Sequence, residues 1–200
     1  MRTLITLLAL MPLFYMSFRY SFSLGWHWLF TVSSFIHEHF HYEIGGTPAD
    51  FWKFVLHVSA KTALNLFIIT LAIKPLRNLL KIDFLKYRKE LGLFGFFYVL
   101  LHVSVFVVIK HHFDYHEIYA AMREHLFLWF GFAAFLIFFM MAFTSIPFLF
   151  KRFASWHKLF YFAMVLVMIH FLLSQKDVSI DEITYVSVIS GLLALRLLKR

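Results

Sequence analysis

The sequence predicts an all-α integral membrane protein, a bundle of six transmembrane helices, and three observations carry that expectation. Hydrophobic residues make up 62% of the chain and charged residues only 15%, too little charge to cover a soluble domain of this size. The apolar residues come in long runs without two-residue alternation, which argues for helices and against an outer-membrane barrel. Lys and Arg gather in short clusters between those runs, so membrane topology explains the net charge of +8 and no nucleic-acid partner is expected. A chain of 200 residues suits one domain. With no cysteine, disulfides, iron–sulfur ligation and thiol chemistry are excluded.

The six expected spans lie near residues 3–20, 52–73, 91–109, 126–147, 157–175 and 183–198. Each approaches the roughly 20 residues needed to cross about 30 Å of hydrocarbon, the last being short. The first begins like a signal peptide, with Arg2 and an apolar run, but bulky Phe14, Tyr15 and Phe18 stand where a small-x-small cleavage site would be; it reads as a retained helix. Residues 21–50 form an external segment. Within it, 24–36 is apolar, carries Trp26 and Trp28 and is too short to span, so an interfacial or re-entrant helix is expected there. "GGTP" (45–48) marks the loop before the second span.

Charge sets the direction. Arg2, the cluster Lys74, Arg77, Lys81, Lys86, Arg88 and Lys89, then Lys151, Arg152 and Lys158, and finally Arg196, Lys199 and Arg200 fall on one side of a six-span chain. Only two acids, Asp83 and Glu90, accompany them. The positive-inside rule puts this side, with both termini, in the cytoplasm.

Of the 12 histidines, His57, His102, His157 and His170 fall inside spans, where ionisable groups are costly and mark function. The simplest reading of any one is a neutral imidazole bonded to a neighbouring helix; four together point further. His102 lies about 16 Å above the inner end of the third span and His170 about 20 Å above that of the fifth. At similar heights on two helices, they are placed to ligate one haem iron from both faces. Without cysteine, axial ligation falls to His, Met or Tyr. Phe-rich packing with gaps at Gly92, Gly95 and Ala163 suits a flat apolar macrocycle. His157 sits at the inner end, about 20 Å below His170, and thirteen residues turn a straight helix by roughly 220° after whole turns, so the two do not share one stripe. His57 is again near the outer level.

"LHVSAKTALNLFIITLAIKPLRNLLK" (56–81), "RKELGLFGFFYVLLHVSVF" (88–106), "AFTS" (142–145) and "WHKLFYFAMVLVMIHF" (156–171) together resemble the MsrQ (YedZ) family, haem-binding membrane subunits with a ferric-reductase-like transmembrane domain. The resemblance covers roughly residues 45–198, with a haem-binding core over 52–198. It implies haem b, one or two per chain, held by His102, His157 and His170, and it aligns His57 with the family's histidine at the start of the second span. It implies electron transfer from the cytoplasmic side of a bacterial inner membrane to a periplasmic molybdopterin methionine sulfoxide reductase of the MsrP type. The chain would then be an electron-transfer subunit rather than the place of substrate chemistry. FMN is also linked to the family, with no residue here assigned to it. Ala60 stands where the family usually has glycine, and the first external segment is longer and richer in histidine than usual.

Other features point less sharply. "HEHFHYE" (37–43) and "KHHFDYHE" (110–117) invite a metal reading, but a polar, pH-sensitive outer surface is the simpler one, since no fourth ligand is evident. Lys61, the strong charge well inside the second span, either snorkels or meets a haem propionate. Arg77, Arg88 and Arg152 serve topology and are also placed for propionates or a flavin phosphate. No Gly-rich nucleotide loop is present, so an external flavin reductase or the quinol pool would supply electrons. Two alternatives stay open: a metalloreductase acting on external ferric or cupric ions, and a histidine-using proton or metal transporter.

Overall fold

The computed structural model describes residues 2–23, 48–81, 83–175 and 179–198. All regular structure among them is helical. Helix α1 is Arg2–Ser23, α2 is Pro48–Leu80, and α3 is Arg88–Ser104, running on as a π-helix over Val105–Lys110. A short α4 (Tyr115–Glu124) precedes α5 (Leu126–Phe143) and α6 (Pro147–Phe153). A 3-10 segment, Ala154–Lys158, leads into α7 (Leu159–Leu173), and α8 is Ile180–Leu198. The expected interfacial helix and the "HEHFHYE" cluster lie outside the described residues.

Among the described residues, four stretches are long and apolar enough to cross a membrane: Phe51–Asn78, Leu85–Lys110, Leu126–Phe143 and Pro147–Leu173. The first and last of the six expected spans differ from these. The apolar part of α1 is the shorter Thr3–Ser17, and α8 carries Asp181 and Glu182 in its first turn and Arg196 in its last.

Helix α2 forms the centre because one of its faces is buried almost throughout. Phe51, Val55, Ser59, Ala63, Phe67 and Thr70 recur every three or four residues and are all buried, the spacing that keeps side chains on one helical face. This helix packs most extensively on α3, and also on α1 and α8, while α5 pairs with α7. In lipid, helix association comes from close packing rather than from the hydrophobic effect, so small residues collect where backbones approach. Ala163, Ala134 and Ala63 accordingly sit in the core. Ser59 and Thr70 return their hydroxyls to the Leu56 and Leu66 carbonyls of their own helix, which settles two polar groups in an apolar interior.

Helix α1 contains Pro12, which removes one backbone donor and opens the preceding turn. The hydroxyl of Tyr98, fully buried, donates to the Ala9 carbonyl at 2.5 Å and so ties α1 to α3 where its own ladder is disturbed. The turn after α3 is strained: His112 and Phe113 hold φ of 46° and 61°, a region costly for non-glycine residues. Asp114 then caps α4, its carboxylate accepting from the His116 and Glu117 amides at 2.8 and 3.3 Å. The segment expected as a plain external loop thus contains a helix. It is amphipathic: Tyr115 and Tyr119 are exposed, while Ile118 and Met122, four apart, turn inward. At the start of helix α8 the Glu182 carboxylate reaches back to Ser179, its Oε2 accepting from the Ser179 amide at 2.9 Å and from the Ser179 hydroxyl.

Candidate functional site

Two clefts lie end to end along the bundle, named outer and inner here after the orientation read from the charges. The outer cleft, ≈ 260 Å³, is walled by α2, α3, α4, α5 and α7. Its lining is apolar except for two side chains, His102 and His170. The π-helical stretch after α3 contributes Phe106 and Val107 to its wall; such a bulge re-aims side chains relative to a regular helix.

Both histidines are held the same way. His102 Nδ1 lies 2.9 Å from the Leu56 carbonyl on α2, and His170 Nδ1 lies 2.8 Å from the Phe127 carbonyl on α5. A carbonyl only accepts, so each Nδ1 carries the proton and each Nε2 keeps its lone pair. Fixing one ring nitrogen on a backbone carbonyl so that the other is free to ligate is the usual arrangement of metal-bound histidine. Gly131 makes room for the second ring. A Cβ there would stand 2.6 Å from His170 Nδ1 and 2.7 Å from Cε1, so any side chain would push the imidazole off its carbonyl. Two imidazoles with free Nε2 lone pairs in an otherwise apolar cleft are a donor set that suits a haem iron.

The inner cleft is larger, ≈ 650 Å³, and chemically different. Arg88, Lys89, Lys151, Lys158 and Arg196 line it, drawn from four segments of the chain, and its lining includes no acid. Arg196, on α8, also stacks over Tyr161, 4.6 Å from the ring centroid. One histidine, His157, belongs to this cleft. It is not on α7 but in the 3-10 segment before it, so the phase mismatch with His170 expected of one straight helix does not arise. Its Nε2 lies 3.3 Å from Thr144 Oγ1, whose own proton goes to the Met140 carbonyl at 2.8 Å. His157 is therefore steadied by a hydroxyl in the "AFTS" turn, a looser hold than the carbonyls of the outer pair.

His57 takes neither position. It is exposed, outside the lining of both clefts, and within electrostatic reach of Lys61 and Glu182. Its neighbour Leu56 supplies the carbonyl that orients His102. Among the expected gaps, Gly92 lines the inner cleft with open space beside it, Ala163 is packed in the core, and the space beside Gly95 is filled by the Phe67 ring. Gly131, Thr144 and Arg196 carry roles that spacing alone did not reveal. Among the described residues, no group of three or more His, Cys, Asp or Glu is arranged to hold a metal ion, and His111, His112 and His116 form none.

The family model described as the ferric reductase like transmembrane component matches residues 55–174, the stretch that supplies the lining of both clefts apart from Arg196. The protein-methionine-sulfoxide reductase heme-binding subunit MsrQ of Brucella ovis is 30% identical over 177 residues, covering 85% of this chain and 80% of the relative. The chain belongs to the MsrQ family. The MsrQ proteins of Brucella canis and Brucella suis match with the same identity and coverage. No solved structure matches the chain. Membership makes this a membrane protein with a ferric-reductase-like helical domain.

Proposed function

We propose that the chain carries electrons across the bacterial inner membrane through haem b, from a cytoplasmic-side donor to a periplasmic molybdopterin methionine sulfoxide reductase of the MsrP type. The observation that carries this reading is the outer cleft: two imidazoles, each tied through Nδ1 to a backbone carbonyl, in a lining otherwise wholly apolar. His102 and His170 would hold the iron through Nε2, and the apolar wall with its backbone-anchored rings would tune its potential. When bound, the haem supplies reversible one-electron chemistry. The relatives, heme-binding subunits of a protein-methionine-sulfoxide reductase, support both the cofactor and the acceptor.

The inner cleft takes a second, anionic, planar cofactor. Its cations suit propionates or a phosphate, because charge-assisted hydrogen bonds from Arg and Lys to such groups are strong and directional. If that cofactor is a second haem b, His157 is its ligand; if it is FMN, His157 lies beside the flavin and the chain carries one iron. The donor, a flavin reductase or quinol, meets this end. The positive-inside rule, applied to the basic residues that line it, favours the donor side for the inner cleft.

The test is the absorption spectrum of the purified full chain with haem and FMN quantified together. A low-spin spectrum lost in both His102→Ala and His170→Ala is the expected result, and a spectrum unchanged in both would sink the pairing. Oxidation of the reduced protein by an MsrP-type reductase, against ferric or cupric salts, separates the proposed acceptor from metalloreduction. A colourless protein would favour transport.

A further inference from the structure

We infer that the groove between the end of α5 and α6 binds one anionic phospholipid of the leaflet at the inner end of the bundle, with the phosphate held by Lys151 and Arg152 and the acyl chains laid against Phe143 and Phe148. The site requires that the bundle span a membrane and requires neither haem nor flavin.

Only residues 144–146 separate the apolar stretch Leu126–Phe143 from the next, Pro147–Leu173. Helix α6 therefore stands where the chain turns at the membrane edge. Its Phe148, Lys151 and Arg152 are spaced i, i+3, i+4 and so share one helical face. All three are exposed, and Phe148, at 87%, is the most exposed large apolar side chain among the described residues. A phenyl ring flanked by two cations is suited neither to water nor to deep hydrocarbon. It suits the boundary where acyl chains meet phosphates. Phe143, Leu149 and Phe153 complete a shallow groove with these three side chains. The Arg152 guanidinium lies 6.0 Å from the centroid of the Phe153 ring, which keeps the charge over the apolar wall.

The positive charge of this groove is uncompensated. No Asp or Glu occurs between Leu126 and Leu173. The ion pairs among the described residues, Arg77 with Asp83 and His111 with Glu117, involve neither cation. The groove stands beside the inner cleft, and the two linings have Lys151 alone in common. Arg152, whose sequence position also suited a cofactor phosphate, lies outside the lining of that cleft. The positive-inside rule accounts for cations at this end, but not for two of them sharing a face with the most exposed aromatic ring. A phospholipid supplies what both halves of the groove lack, anionic oxygens for the cations and hydrocarbon for the rings. A choline headgroup carries its own cation beside the phosphate, so an anionic headgroup is preferred.

The full chain, purified in detergent, is titrated with phosphatidylglycerol or with phosphatidylcholine of the same acyl chains, and bound lipid is counted by native mass spectrometry. The wild type is expected to hold one phosphatidylglycerol, more tightly than phosphatidylcholine. Arg152→Gln should weaken phosphatidylglycerol binding about fivefold, the loss of one cation near a membrane surface, and leave phosphatidylcholine unchanged. Phe148→Ser should weaken both lipids alike. Lys86→Gln removes an exposed cation outside the groove and should change neither. Circular dichroism checks that each variant is folded, and excess inorganic phosphate should not displace the lipid. Equal affinity of the wild type for the two lipids would overturn the site. So would equal losses in Lys86→Gln and Arg152→Gln, the mark of a diffuse charge effect, or displacement by phosphate, the mark of a simple anion site. Variants that bind phosphatidylglycerol like the wild type but lose reduction by the cytoplasmic donor would assign the groove to an acidic protein partner instead. None of these outcomes bears on the haem reading, which is decided by the His102 and His170 spectra.

Discussion

The outer and inner clefts share walls from α2, α3, α5 and α7 and solve opposite problems. In the outer one every polar group that faces the space is an imidazole with a fixed tautomer, and the rest is hydrocarbon. In the inner one five cations from four segments converge on a wider space with a single histidine. The first suits a cofactor gripped at its centre, by the metal. The second suits one gripped at its edge, by its charges. Ligands fixed on backbone carbonyls give a rigid, low-dielectric site, whereas long cationic side chains adapt and remain sensitive to ionic strength.

Removing a ligand is the most severe way to break this contrast. His102→Ala or His170→Ala should abolish the low-spin haem signal while helicity by circular dichroism is retained, since each ring makes one hydrogen bond between helices whose own backbone ladders stay intact. His157→Ala should do the reverse, sparing the outer haem spectrum while lowering the content of the second cofactor and electron transfer from the cytoplasmic donor. If His157→Ala instead removed the outer haem, the two clefts would not be independent sites.

The substitution Gly131→Ala sharpens the comparison by a smaller step. Its Cβ falls on the His170 ring, and overpacking of this kind costs about 1–3 kcal/mol. The expected result is haem retained at lower occupancy, with a shifted low-spin signature as Nδ1 leaves the Phe127 carbonyl. Gly92→Ala, beside the inner cleft with nothing within 4 Å of its Cβ, should leave the outer haem spectrum unchanged and raise stability slightly, as alanine for glycine does within a helix. Equal effects of the two would refute a steric role for Gly131.

How much of this was legible beforehand follows from the physics of each signal. The long apolar runs announced helices because a bilayer leaves the backbone no alternative, and the heights of His102 and His170 followed from helical rise alone. The limits of α1 and α8 were less clear, since Pro12, Asp181, Glu182 and Arg196 dilute the apolar signal there. His57 looked equivalent to His102 by depth. Rotation about α2 decides otherwise: the buried stripe runs through Val55 and Ser59 and leaves His57 outside it. The position of His157 could not be computed from helix geometry because the chain is 3-10 there. Helix α4 was hidden in a polar stretch rich in histidine, although Asp114 ahead of Glu117 is a cap signal. Gly131 gave no sign at all, because what makes it matter is a ring 39 residues further along the chain.

The mildest changes test the edge-gripped cleft. Arg88→Gln and Arg196→Gln each remove one cation from the inner lining. Neither is an isolated buried charge: Arg88 is half-buried at the start of α3, and the Arg196 guanidinium, partly exposed, lies over the Tyr161 ring. Partly exposed charge pairs contribute about 0.2–1 kcal/mol each, which corresponds to a weakening of cofactor affinity of up to roughly fivefold per substitution. Because exposed charges are screened, the deficit should shrink as salt is raised. The outer haem of the same variants should stay indifferent to salt, its grip being coordination and packing. Titration of the second cofactor into depleted protein at low and high ionic strength reads both expectations at once. If salt weakened the outer haem as much as the inner cofactor, the division into a metal-gripped and a charge-gripped site would fail.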